Sequence, residues 1–241
     1  GETLSDGRID LPSFAPALRA TEAFEVGGIG DPELLTIEGT PFVYYTAWGA
    51  NGAGSIAAAT LSADEAQKEL APMLVPEGDV VSYDAPTAAV RDGLVILVVR
   101  ATLRSGASEL RAFYSADPQT GWARIVDSSL EALTRVESPT EEIGSPSLVR
   151  HNSAYQLYYA RRQGTRWSVQ IAASDELLFW RPLGEALGGT GEGFDSQGAR
   201  GLDARSVFGR IEAVYSGQDG VSFRLGFAAR PAPSGTASTV F

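Results

Sequence analysis

The chain of 241 residues contains no cysteine. Disulfides and thiolate metal sites are therefore excluded, and the absence fits either redox compartment. A single histidine, His151, is present. It removes most imidazole metal sites and makes any Ser-His-Asp triad depend on one residue. No run of eighteen apolar residues occurs, so no segment reads as a membrane-spanning helix. No secretory leader is recognisable at Gly1, and an exported protein (periplasmic, lipid-anchored or extracellular) whose leader has been removed is the expectation. Basic residues are outnumbered, with 19 Lys and Arg against 30 Asp and Glu, for a net charge of −11. Nucleic acid is a poor partner for such a surface, because phosphate binding needs clustered cations. Helical periodicity is also missing. Only "LSADEAQKEL" (61–70) reads as a helix.

What is present is a repeat. Hydrophobic residues make up 44% of the chain, enough for a real core. Four segments align: "GDPELLTIEGTPFVYYTAW" from Gly30, "DAPTAAVRDGLVILVVRA" from Asp84, "GSPSLVRHNSAYQLYYAR" from Gly144 and "DARSVFGRIEAVYSG" from Asp203. The anchors are Pro32, Pro86, Pro146 and Arg205. Each segment reads as a strand, a turn and a longer apolar strand. The turns are placed at Glu38-Gly39, Asp92-Gly93, His151-Asn152 and Gly209-Arg210. A third strand follows each, and three of the four end in Ser then Asp, with Trp122 and Trp180 shortly after. A lead-in also recurs, with Phe24-Glu25 matching Phe194-Asp195. Residues 11–18 resemble an outer strand that closes the last blade of a ring. Repeats of this size with β-rich content read as blades of an all-β propeller spanning 1–241. A β-sandwich of unrelated hairpins is the alternative.

The short "DP" strand, the "Y-Y" strand and the "A-x-S-x-D…W" ending together resemble the five-bladed propeller glycoside hydrolases of families 43 and 32. The resemblance covers roughly 11–230. It implies an Asp beside a Pro as base or nucleophile, which Asp31 matches. It also implies a general-acid Glu two residues before a later Pro, where this chain has Gly144. Glu142 lies two residues upstream and is expected to reach the channel only if the loop is displaced. Asp84, two residues before Pro86, supplies the second carboxyl. The family has five blades and four repeats are visible, which leaves room for an additional blade or domain outside this chain. Some family-43 enzymes hold a channel metal with a His, and no matching His is found. No cofactor and no metal are expected.

Ring symmetry brings the starts of the inner strands together, so Asp31, Asp84, Ser145 and Asp203 are the channel candidates. Asp31 and Asp84 form the minimal catalytic pair, since glycoside hydrolysis uses two carboxyls. Asp before Pro is also a common turn opener, and Asp203 could simply pair with Arg205. Trp48, at a strand end, is a candidate stacking surface for a sugar ring. Arg100 and Arg161 end the corresponding strands, and Gln197 and Arg200 lie in the Gly-rich "FDSQGARG" loop. All four are candidate sugar contacts. His151 reads as an exposed turn residue, and Trp122 and Trp180 as packing. "SADPQTGW" (115–122) resembles the structural Asp-box turn of sialidases. The expected function is a carbohydrate-active propeller that binds a furanosidic or pentose-containing sugar in its funnel. The alternative is a sugar-binding or protein-interaction propeller lacking the general acid.

Overall fold

The structure, a computed structural model, describes residues 18–62, 66–126, 128–138, 140–220 and 222–230. The described residues are almost entirely antiparallel sheet, and they form four blade-like units. Blade 1 is β1 (Gly28–Ile37), β2 (Thr40–Trp48), β3 (Gly54–Leu61) and β4 (Ala66–Lys68). Blade 2 is β5 (Val80–Arg91), β6 (Leu94–Leu103), β7 (Ser108–Ser115) and β8 (Ala123–Arg124). Blade 3 is β9 (Glu141–His151), β10 (Ala154–Gln163), β11 (Arg166–Ser174) and β12 (Arg181–Leu187). Among the described residues blade 4 has β13 (Gly198–Val207), β14 (Arg210–Gln218) and β15 (Phe223–Arg230). One parallel pairing, Trp167 with Gly198, joins blades 3 and 4.

The hairpin chemistry explains the register. Glu38-Gly39, Asp92-Gly93 and Phe208-Gly209 all have positive φ at both positions, as a two-residue type I′ turn requires. The fourth turn therefore centres on Phe208-Gly209, one residue earlier than the sequence suggested. The third turn uses Asn152 (φ 58°) and leaves His151 as the last residue of β9. His151 is buried, contrary to expectation, and its Nδ1 hydrogen-bonds the Ser206 hydroxyl at 3.1 Å. A strand-end side chain alternates inward where a turn side chain does not.

The expected helix over 61–70 is also wrong. Leu61 ends β3, and Ala66–Lys68 pair back onto it as β4. The helix that does form, α1 (Ser129–Thr134), is capped by the Ser128 hydroxyl, which accepts from the Leu130 amide. Its apolar residues are too few for a periodic signal, but Leu130 is fully buried between blades 2 and 3.

The core is the sum of the blade-to-blade faces. Tyr44 and Ile56 meet Leu97 and Tyr83 between blades 1 and 2. Ile96 and Leu110 meet Leu157 and Tyr159 between blades 2 and 3. Tyr158 and Ile171 meet Ile211 and Tyr215 between blades 3 and 4. Among the described residues no core cluster joins blade 4 to blade 1, and Val214, Phe223, Leu225 and Phe227 on the far side of blade 4 are exposed. The proposed closing strand over 11–18 lies outside the described residues except for Leu18, which packs on blade 1.

The recurrent lead-in has a structural meaning. Glu25 and Asp195 each end a short 3₁₀ turn and are buried. Glu25 accepts from the Tyr45 hydroxyl at 2.7 Å, and Asp195 from the Tyr215 hydroxyl at 3.1 Å. The Ser endings recur for a similar reason. Ser115 Oγ donates to the Thr120 carbonyl, and Ser174 Oγ accepts from the Leu177 amide. Asp117 caps the amides of Gln119 and Thr120, so the Asp-box likeness is a turn. Trp122 packs edge-on against Tyr44, and Trp180 is buried in the core.

Candidate functional site

The inner strand of every blade carries the same defect. Pairing slips by one residue between Gly30 and Glu33, Asp84 and Thr87, Gly144 and Ser147, and Arg200 and Leu202. At each slip one residue takes a left-handed backbone: Asp31 (φ 48°), Ala85 (49°), Ser145 (45°) and Gly201 (63°). A bulge of this kind re-aims a side chain out of the sheet. Three of the four residues are not glycine, so the conformation costs energy that the surrounding sheet must supply. Pro32, Pro86 and Pro146 follow the bulge residue, which is why the Pro anchors aligned.

The fourth copy was misaligned in sequence. Its bulge is at Gly201, so Leu202 replaces the Pro and Arg205 lies three residues further on. Asp203 is therefore the counterpart of Glu33, Thr87 and Ser147, not of the channel-facing residues. That position links the blades. Glu33 Oε1 accepts from the Ala88 amide at 3.2 Å, Thr87 Oγ1 from the Leu148 amide at 2.8 Å and Ser147 Oγ from the Ala204 amide at 3.0 Å. Asp203 itself is exposed and pairs with Arg205 at 3.6 Å. Burial, with smaller help from the Asp203 charge, pushes the Glu33 carboxyl up to about 7.

The four bulges converge on a cavity of about 80 Å³. Blade 1 contributes Asp31, and blade 2 Asp84, Ala85 and Arg100. Blade 3 contributes Glu142, Gly144, Ser145 and Trp167, and blade 4 contributes Arg200. Asp31 is exposed, and its Oδ2 accepts from the Thr46 hydroxyl at 2.9 Å. Thr46 Oγ1 in turn accepts from the Ala85 amide at 3.0 Å, so blade 2 positions the Asp31 partner. Asp84 is buried and held by the Arg100 fork, with Nε to Oδ1 at 2.6 Å and Nη2 to Oδ2 at 2.9 Å. Burial raises the Asp84 carboxyl, Arg100 opposes that rise, and the charges of Asp31 and Glu142 add to it. Arg100 Nη1 also donates to the Ile143 carbonyl at 3.2 Å and reaches Glu142 at 3.4 Å.

Of the nine residues singled out from sequence, the structure brings together Asp31, Asp84, Arg100, Ser145 and Arg200. It does not bring Trp48, Arg161, Gln197 or Asp203 to the cavity. The Trp48 ring covers Gly30, where an added Cβ would come within 2.6 Å of it. Arg161 pairs with Glu141 at 3.4 Å. Gln197 is used through its backbone, which donates to Gln218 and accepts from Trp167.

Glu142 needs no displacement to reach the cavity wall, because the bulge at Ser145 shifts the strand. The expected acid position, Gly144, lies under Arg100: an added Cβ would sit 3.3 Å from Arg100 Nη1. The aromatic at the cavity is Trp167, whose register counterparts in the other third strands are Gly54, Ser108 and Phe223, so an aromatic recurs there only in blade 4 and leaves no four-fold signal. Among the described residues no cluster of three or more His, Asp or Glu is placed to hold a metal, and no helix is long and apolar enough to cross a membrane.

No family model matches the chain, and no curated protein matches it. Solved structures do. A structure from the GH130 family of mannoside phosphorylases, which contains glycoside hydrolases that target β-1,2 mannosidic linkages in Candida mannan, superposes with a TM-score of 0.66 at 18% identity, over 89% of this chain and 69% of its own. These are glycosidase propellers. The chain has their fold. A glycosyl hydrolase from Bacteroides ovatus gives 0.66 at 18% identity over 90% of this chain and 74% of its own. A sucrose-6-phosphate hydrolase from Lactobacillus gasseri gives 0.66 at 14% identity over 90% of this chain and 51% of its own. The resemblance read from the "DP" and "Y-Y" segments is thus borne out as a glycosidase-like fold. Identity this low says nothing of the sugar or of turnover.

Proposed function

We propose that the protein binds a carbohydrate, a furanosidic or pentose-containing sugar, in the mouth of its central funnel. The observation that carries the reading is the cavity. All four blades deliver a residue to it through the same bulge, and its lining is polar and charged in a fold shared with glycosidases. Asp31, exposed and without an ion-pair partner among the described residues, is the acceptor for sugar hydroxyls, Ser145 adds a hydroxyl, and Trp167 forms part of the wall. Asp84 acts through Arg100: its carboxylate fixes the fork that spans blades 2 and 3.

Hydrolysis is the second reading, and one observation favours it. Glu142 faces the cavity with only long contacts of 3.4 Å, to Arg100 and to Arg162. In this reading Glu142 supplies the proton and Asp31 is the base or nucleophile. Asp84, the expected second carboxyl, is already engaged with Arg100. A positioned acid is worth about 10²–10⁴ in rate, so loss of Glu142 would be conspicuous.

The test is release of reducing sugar from arabinans, xylans, fructans and aryl furanosides, beside calorimetric binding of the matching oligosaccharides. Wild type is compared with Asp31→Asn, Asp84→Asn and Glu142→Gln. Binding lost in Asp31→Asn without turnover in any variant supports the binding propeller. Turnover lost in both Asp31→Asn and Glu142→Gln supports the glycosidase. Neither binding nor turnover on any sugar removes both readings.

A further inference from the structure

Arg100, Asp84 and Glu142 neutralise one another at the cavity wall, and Arg162 adds to Glu142. Two charged residues of the cavity are left over, Asp31 and Arg200. Arg200 makes no hydrogen bond or ion pair among the described residues. Its contacts are ring faces: the guanidinium carbon lies 4.7 Å from the Trp167 centroid and 5.8 Å from that of Phe223. Trp167 is itself buried, so the stacking surface is fixed. Stacking occupies the flat face of a guanidinium and leaves its five N–H groups to act at the edge.

Position makes this arginine distinctive. Its counterparts before the bulge in the other blades are Gly30, Asp84 and Gly144. Blade 4 alone places a cation there, and no carboxylate of the described residues takes it. A planar fork held on an aromatic wall, at a cavity and without an internal acid, matches a carboxylate.

Resting on the carbohydrate reading, we propose that the ligand is an acidic glycan, a chain whose uronate carboxylate pairs with Arg200 while its hydroxyls meet Asp31. The net charge of −11 works against long-range attraction of such a ligand, so recognition depends on this local fork and not on steering.

The test uses matched pairs of oligosaccharides that differ in one carboxylate: glucuronoxylo-oligosaccharide against xylo-oligosaccharide of equal length, and oligogalacturonide against the neutral galacto-oligosaccharide. Calorimetry is run on wild type, Arg200→Gln and Arg200→Lys, with folding checked by circular dichroism. The acidic member of at least one pair should bind about 10- to 100-fold tighter, as a charge-assisted bond implies. That advantage should vanish in Arg200→Gln and be partly kept in Arg200→Lys, read as the ratio of acidic to neutral binding within each protein. Equal or tighter binding of the neutral members, or an advantage that survives Arg200→Gln, overturns the inference and leaves the carbohydrate reading standing. No binding of any member overturns the inference, and the carbohydrate reading then rests on the panel of arabinans, xylans, fructans and aryl furanosides above.

Discussion

Replacing Arg100 by Met keeps the aliphatic stem and deletes the fork. In the native state the Asp84 side chain is 8% exposed and that of Arg100 27%. The substitution leaves a buried carboxylate without its two hydrogen bonds and removes the donor from the Ile143 carbonyl. Breaking a buried pair by removing one partner costs about 3–5 kcal/mol. In a chain of this size that is a fall in melting temperature of roughly 6–20 °C. The loss should depend on pH. Without Arg100, burial and the charges of Asp31 and Glu142 all push the Asp84 carboxyl upward. Its folded value then lies well above its unfolded one, so the folded state is favoured where Asp84 is protonated and loses ground as pH rises through the folded value. Urea unfolding followed by circular dichroism should therefore show a larger deficit for Arg100→Met at pH 8 than at pH 5. Adding Asp84→Asn removes the stranded charge and should recover more than about 1 kcal/mol relative to additivity. A deficit below about 1 kcal/mol, the value of a surface pair, would refute the reasoning. So would a deficit equal at both pH values.

Glu33→Gln should flatten the pH dependence of stability. A carboxyl raised from 4.5 to about 7 means that wild type loses stability as pH rises across that window, on the order of 3 kcal/mol; melting curves at pH 5 and 8 for both proteins check this. Tyr45→Phe and Tyr215→Phe each remove a donor from a buried carboxylate and should cost about 1.5–3 kcal/mol by urea unfolding, the two adding because they lie in different blades. Gly198→Ala should cost more than either. Its Cβ would sit 1.9 Å from the Trp167 carbonyl in a backbone with φ of 129°, and hydrogen exchange should show the loss concentrated between blades 3 and 4.

The blades were legible because each is local. Alternating strands, Gly-containing turns and the Ser endings of a blade follow one another directly along the chain, so each leaves a continuous pattern. The Pro anchors located three of the four bulges for the same reason: a left-handed residue followed by Pro is a backbone requirement, and the requirement recurs. The fourth copy satisfied it with Gly201-Leu202, which has no Pro to align. Asp203 was therefore read as a channel residue, although it occupies the position that in other blades holds the next blade's amide. Glu142 and Trp167 were harder. Whether a strand side chain faces the cavity depends on its parity relative to the bulge, and a slip of one residue reverses that parity. Trp48 failed in the opposite way. A strand-end aromatic could equally cover a neighbouring glycine, and Gly30 supplied the space. His151 was misplaced by one residue of turn register, enough to move it from solvent to the core.

The bulge separates two demands that most protein sites must meet together. The sheet fixes the backbone at Asp31, Ala85, Ser145 and Gly201, and none of the four belongs to a hydrophobic core cluster between blades. Asp, Ala, Ser and Gly all occupy the same socket in one molecule. The fold therefore carries its own internal substitution experiment. Four chemistries at one backbone position mean that the left-handed bulge does not dictate the side chain it presents, so what faces the ligand is set apart from what the sheet requires.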